Sequence, residues 1–154
     1  MHKPKLNRRV ALLFFLSTVM IFITACSASI SRVAENPAAY DGKTARVSGQ
    51  LVKVFPLQLA DYRLLIVQDN GNMVSLLSRR IHSAGSEVHL QASVIHLSGN
   101  SLRASLETAT PRLLALFQSD GLDESASLDA VNRLRRLLLP LAAEIDTTFF
   151  LVQD

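Results

Sequence analysis

Three kinds of hydrophobic patterning divide the chain. Residues 10–24 are almost continuously apolar, residues 44–94 carry short runs that alternate apolar with polar, and residues 128–145 repeat apolar side chains at helical spacing. Each pattern points to one kind of element. Strand side chains alternate between two faces, whereas a helix returns to one face every three or four residues.

The alternating block predicts strands. Ala45, Val47, Gly49 and Leu51 share a face against Arg46, Ser48 and Gln50, as in a half-buried strand that starts at Thr44. After Leu51 the phase flips to Val52 and Val54, and a flip beside Gly49 predicts a bulged, coiled strand. Residues 62–68 form a second β-rich run, Asp69-Asn70-Gly71-Asn72 has hairpin-turn chemistry, and residues 73–78 return as the antiparallel neighbour. A loop through Arg79, Arg80 and Gly85 leads to residues 87–94, where Val88, Leu90, Ala92 and Val94 share a face. Gly99-Asn100 turns the chain, and Leu102, Ala104 and Leu106 mark a fifth strand. Upstream, residues 36–42 read as one helical turn, with Asn36 as N-cap, Pro37 in the first position and Gly42 as a left-handed stop.

The C-terminal third changes period. Thr110-Pro111 suits the start of a helix over 112–117, followed by a polar loop over 118–125. Ser127 is placed to cap a second helix in which Leu128, Val131, Leu134, Leu138, Leu141 and Ile145 recur. Its Asp129 comes early and Arg133, Arg135 and Arg136 late, as the helix dipole favours. Pro140 should kink or end it, and the stripe reads as a face packed on the strands. Residues 147–154 read as a closing or added edge strand.

Five short strands, the first long and kinked at a glycine, favour a small closed barrel over an open sheet. The fold class is therefore mainly β with C-terminal helices (α+β), a small five-stranded barrel plus a helical C-terminal extension. The run Asn36-Pro37-x-x-Tyr40-Asp41-Gly42-Lys43-x-x-x-Val47-Ser48-Gly49-x-Leu51-Val52, with Asp69-Asn70-Gly71 and Gly85-x-x-Val88 after it, resembles small exported OB-fold proteins of bacteria. The resemblance covers residues 30–97. It implies an OB-like barrel and carries no catalytic residue.

The apolar block has a different destination. Fifteen residues make roughly 22 Å of helix, short of the ~30 Å hydrocarbon core, and four positive charges precede them. That is signal-peptide architecture. The block ends in Ile23-Thr24-Ala25-Cys26, which resembles the lipobox of bacterial lipoproteins. The chemistry requires a thiol to take the diacylglyceryl group and small residues before it to admit the peptidase. The resemblance implies cleavage between Ala25 and Cys26 and lipidation of Cys26. One acyl chain alone binds a membrane weakly, whereas two or three together hold firmly. Ser27, where an aspartate would favour inner-membrane retention, implies sorting to the outer membrane, periplasmic face. The expected organisation is residues 1–25 as lipoprotein signal peptide, 26–109 as lipid-anchored OB-like barrel, and 110–154 as helical extension packed on the barrel and ending in a strand.

Processing changes the charge. The 154-residue chain has 16 basic and 13 acidic side chains, a net charge of +3 that by itself would suit an anionic partner. Lys3, Lys5, Arg8 and Arg9 precede the cut, however, and the 16 basic side chains less these four leave 12 against 13, a net charge of −1. Cys26 is the single cysteine. With no second thiol for a disulfide, stability must come from a packed apolar core.

The residues offer little reactive chemistry. Nucleic-acid binding needs stacking aromatics in a cationic groove, and residues 63–69 and 73–78 carry no aromatic. Nucleic acid is therefore not an expected partner. His82, His89 and His96 invite a metal, but on one strand His89 and His96 would stand about 23 Å apart and on opposite faces. Neither a metal site nor another cofactor is expected. A nucleophile elbow, a zinc-protease histidine pair and a serine–lysine dyad are all missing from the mature sequence. No catalytic residue is assigned, and the adjacent carboxylates Asp123-Glu124 read as solvated. The pairs Arg79-Arg80 and Arg135-Arg136 read as solvated rims near a membrane. The expected function is a non-catalytic binding or adaptor module of the cell envelope, with an envelope protein as partner. The alternatives are a periplasmic carrier for a cation or oligosaccharide, and an envelope enzyme whose active site is not sequential.

Overall fold

The computed structural model describes residues 27–58, 61–80 and 82–153. Residues 1–26, which include the expected signal peptide with its cleavage site at Ala25 and the expected lipidation site Cys26, lie outside the described residues. The first described segment is a short strand, β1 (Ala28–Ser29), followed by helix α1 (Ile30–Glu35) and a 3-10 turn (Pro37–Tyr40). The Asn36 side chain caps that turn by accepting the Ala39 N–H at 3.4 Å, and Gly42 leaves it at φ +72°.

Strand β2 (Thr44–Pro56) then runs for 13 residues and changes partner midway. Residues 44–50 pair antiparallel with β5 (Glu87–His96), and residues 50–56 pair antiparallel with β3 (Arg63–Asp69). The change is possible because the strand bends. Its register slips between Leu51 and Lys53, so Val52 is extruded to solvent and the inward set moves from Leu51 to Val54. Gly49 sits where a Cβ would come within 2.0 Å of the Gln68 carbonyl oxygen, so the bend has room for no side chain.

The hairpin to β4 (Asn72–Ser78) turns through Asn70 and Gly71, both with positive φ, as a type I′ turn demands. The last strand, β6 (Phe149–Gln153), inserts between β4 and β5, parallel to the first and antiparallel to the second. The order β2-β3-β4-β6-β5 returns to β2 and closes a five-stranded, OB-like mixed barrel. Strand β1 adds to it as a parallel edge on β2.

The helices depart from the sequence-based expectation at their starts. Leu102, Ala104 and Leu106 are not a strand but the first turns of α2 (Leu102–Ser119), capped by Ser101 Oγ, which accepts the Ala104 N–H at 3.3 Å. The fifth barrel strand is β6 instead. Thr110-Pro111 lies inside α2, where the buried side chains Leu102, Leu106, Ala109, Leu113 and Phe117 keep helical spacing throughout. Residue 109 is therefore mid-helix. Glu107 and Pro111 are both exposed, so the carbonyl deprived of a partner by the proline is open to water. The second helix, α3 (Glu124–Leu138), is capped by Asp123, which accepts the Ala126 N–H at 2.8 Å, not by Ser127. Asp123 and Glu124 are thus the helix start rather than a loop. Leu128 is 47% exposed, and Ser127 and Ala130 take the buried face. Pro140 ends α3 in a 3-10 turn (Leu139–Leu141).

Two apolar cores result. Inside the barrel, Val47, Leu51, Leu65, Val67, Leu76, Val94 and Leu151 pack with Ile30 and Val33 of α1, which plugs the interior. Outside it, Leu64, Ile66, Leu77 and Phe150 pack with Leu106, Leu113 and Phe117 of α2 and Val131, Leu134 and Leu138 of α3. Alternate residues of the same strands therefore serve both cores. This explains why β3 and β4 are buried on both faces and read as nearly continuous apolar runs.

Candidate functional site

OB barrels take oligonucleotides and oligosaccharides on the outer face of their second and third strands. Here those strands are β3 and β4, and their outward residues Leu64, Ile66 and Leu77 are 0–1% exposed beneath the two C-terminal helices. The protein's own helices occupy that face. Tyr62 fastens the cover at one corner: its hydroxyl donates to Asp120 Oδ2 beyond the end of α2, and its ring meets Phe117 edge-on at 5.2 Å. Arg79 completes the corner, 3.3 Å from Asp120 Oδ1 and 5.7 Å above the Tyr62 ring.

What stays open is the outer face of the β2–β5 ribbon. Its cross-strand pairs are Thr44 with Ser93, Arg46 with Gln91, Ser48 with His89 and Gln50 with Glu87, so the exposed surface is hydroxyl, amide, imidazole and charge. Ser48 Oγ and His89 Nδ1 hydrogen-bond at 2.6 Å, and the Glu87 carboxylate stands 3.8 Å from His89 Nε2. The backbone beneath them is fixed by the buried Asp69, whose Oδ2 accepts the Ser48 N–H at 2.9 Å and whose Oδ1 accepts the Asn70 amide at 2.9 Å.

A serine, a histidine and an acid in a row resemble the parts of a hydrolase, a grouping that no sequence motif signals because 41 residues separate Ser48 from His89. Its surroundings argue for another role. The His89 and Glu87 side chains are 71% and 83% exposed. Nucleophilic catalysis draws its power from a water-excluded pocket with donors aimed at the developing oxyanion, and an open sheet face supplies neither. The trio is a polar, solvent-open group on the sheet face.

At the Thr44–Ser93 end the ribbon runs into two adjoining clefts that share Ser93 and Val152. One, of about 290 Å³, lies against α2 between Gly42, Arg112, Leu116 and Ser119; the other, of about 210 Å³, is lined by Thr44, Gln91 and Ala92. The first lies at the lower end of the roughly 300–1,000 Å³ typical of small-molecule sites and the second below it. Arg112 is held at the rim by Asp41, 2.7 Å away. Partial burial pushes the Asp41 carboxyl up, but the His96 backbone N–H and the Arg112 guanidinium outweigh that and hold it below the ordinary carboxylate range.

The three histidines are not brought together. His89 is on the ribbon, His96 is at the far end of β5 with its backbone bound to Asp41, and His82 is in the β4–β5 loop. Among the described residues no three His, Cys, Asp or Glu side chains are grouped as a metal ion would need. Of the arginine pairs, Arg79 is engaged with Asp120 and Arg135 with Thr110, while Arg80 and Arg136 remain exposed. Among the described residues no helix is long and apolar enough to cross a membrane. No protein-family model, curated protein or solved structure matches the chain.

Proposed function

We propose that this protein is a non-catalytic adaptor of the bacterial cell envelope. Acyl groups on Cys26 tether it to the periplasmic face of the outer membrane, and the Ser48–His89 and Gln50–Glu87 end of the β2–β5 ribbon, away from β1, is offered to an envelope protein. The observation that supports this reading is the contrast between two barrel faces. The outward side chains of β3 and β4, the surface an OB-fold would use for an extended ligand, are buried under α2 and α3, whereas those of β2 and β5 are polar and open. An open polar surface suits a protein contact, whose rim is hydrogen-bonding and wet.

Crosslinking in living cells tests the proposal. A photoreactive side chain at Glu87, on the ribbon pair farthest from β1, should capture one reproducible envelope protein, and the same group at Arg103 on α2 should not. Recovery of the same abundant outer-membrane proteins from both positions would overturn it. The tether has its own test: Cys26→Ala should abolish incorporation of labelled fatty acid.

A further inference from the structure

The chain leaves no slack between the proposed anchor and the barrel. Ser27 alone separates Cys26 from β1, and Ala28 and Ser29 are already paired in register with Ala45 and Arg46. Ile30 and Val33, just beyond, are fully buried. Two residues span at most about 7 Å, whereas flexible tethers of some length let a domain roam. Acyl chains on Cys26 would therefore bring the start of β2 down to headgroup level.

The segments that flank β1 and pair with it are cationic. Arg32, Lys43 and Arg46 are all exposed, and none takes part in the ion pairs formed among the described residues. Arg46 lies directly beside Ser29, and Lys43 precedes Ala45 by two residues. Lys43 Nζ stands 5.7 Å over the ring of Tyr40, an aromatic of the kind that settles at the water–lipid boundary. Residues 27–46 carry two acids, of which Asp41 is bridged to Arg112 at 2.7 Å, and this sets Glu35 against three cations in that segment of a domain whose mature net charge is −1.

We infer that Arg32, Lys43 and Arg46 rest on the anionic phospholipid headgroups of the leaflet that holds the anchor, and so fix which way the barrel faces. This rests on the lipid anchor proposed above. Each basic residue near an anionic surface strengthens attachment about fivefold, so three of them select one orientation among those the tether permits.

The mature sequence contains two lysines, Lys43 and Lys53, which makes the orientation directly readable. Lys53 lies ten residues further along β2 and is bridged to Glu144 at 2.7 Å. The native lipidated protein is reconstituted into phosphatidylcholine vesicles with and without phosphatidylglycerol and acetylated with a water-soluble reagent. Mass spectrometry then reads Lys43, Lys53 and the Cys26 peptide together. Acetylation of Lys43 relative to Lys53 should fall about fivefold or more when phosphatidylglycerol is present. Arg32→Glu combined with Arg46→Glu should restore it. Equal Lys43 labelling in both vesicle types overturns the inference while an acylated Cys26 leaves the anchor standing. A Cys26 peptide without lipid overturns both.

Discussion

The hydroxyl of Tyr62 donates a hydrogen bond to Asp120, joining the approach to β3 with the residue that ends α2, 58 positions away. The contact fastens the helical cover to the barrel, since Tyr62 is 3% exposed and its ring also packs against Phe117. Tyr62→Phe keeps the ring contact and removes the bond to a charged acceptor, a loss worth roughly 1.5–3 kcal/mol. Urea unfolding should show a lower midpoint with an unchanged slope.

Gly49→Ala should be more damaging than its single methyl suggests. The added carbon would come within 2.0 Å of the Gln68 carbonyl oxygen, a backbone atom that cannot swing aside. Stability should fall by roughly 2–4 kcal/mol. Gly85→Ala, where nothing lies within 4 Å but φ is +84°, should cost only about 1 kcal/mol. Thermal unfolding of the two variants side by side tests the ranking.

Ser127 is fully buried in the first turns of α3, and its hydroxyl has no hydrogen-bond partner among the described residues. Replacing it with alanine removes an unsatisfied polar atom and improves helix propensity. Ser127→Ala should therefore raise stability by roughly 0.5–1.5 kcal/mol. A lower unfolding midpoint for the variant would show that the hydroxyl is bound after all.

Asp41 links stability to pH. Its folded carboxyl is held below the ordinary range by the His96 N–H and Arg112. Its contribution is therefore present above the unfolded carboxylate pKa of about 3.9 and is lost as pH falls through the lower folded value. The margin of wild type over Asp41→Asn should be constant near neutrality and vanish in acid. With the carboxylate side chain 40% exposed, added salt should shrink it. Urea titrations of both proteins across that pH span measure the margin.

Legibility in the sequence followed the range of the interactions. Strand β2, the hairpin at Asn70-Gly71 and the inward set of β5 were readable because side-chain alternation and turn chemistry are local. Residues 102–106 misled because Leu102, Ala104 and Leu106 alternate over so short a window. The helical spacing appears only when Ala109, Leu113 and Phe117 are included, and Pro111 looked like a start although its exposed position lets α2 continue through it. The choice of Asp123 over Ser127 as cap depended on which side chain the barrel buries, a tertiary fact. The ribbon trio Ser48, His89 and Glu87 was invisible for a related reason: it exists only once β2 and β5 pair in register.

The placement of β6 has a consequence for how the protein is made. Its five residues lie between β4 and β5, so the ring of strands cannot close until residues 149–153 have been translated, more than fifty positions after β5 ends. Ladders that join such distant parts of a chain form slowly. The nascent polypeptide therefore keeps an open gap between β4 and β5 while both helices are synthesised, and the barrel locks only when β6 arrives to fill it.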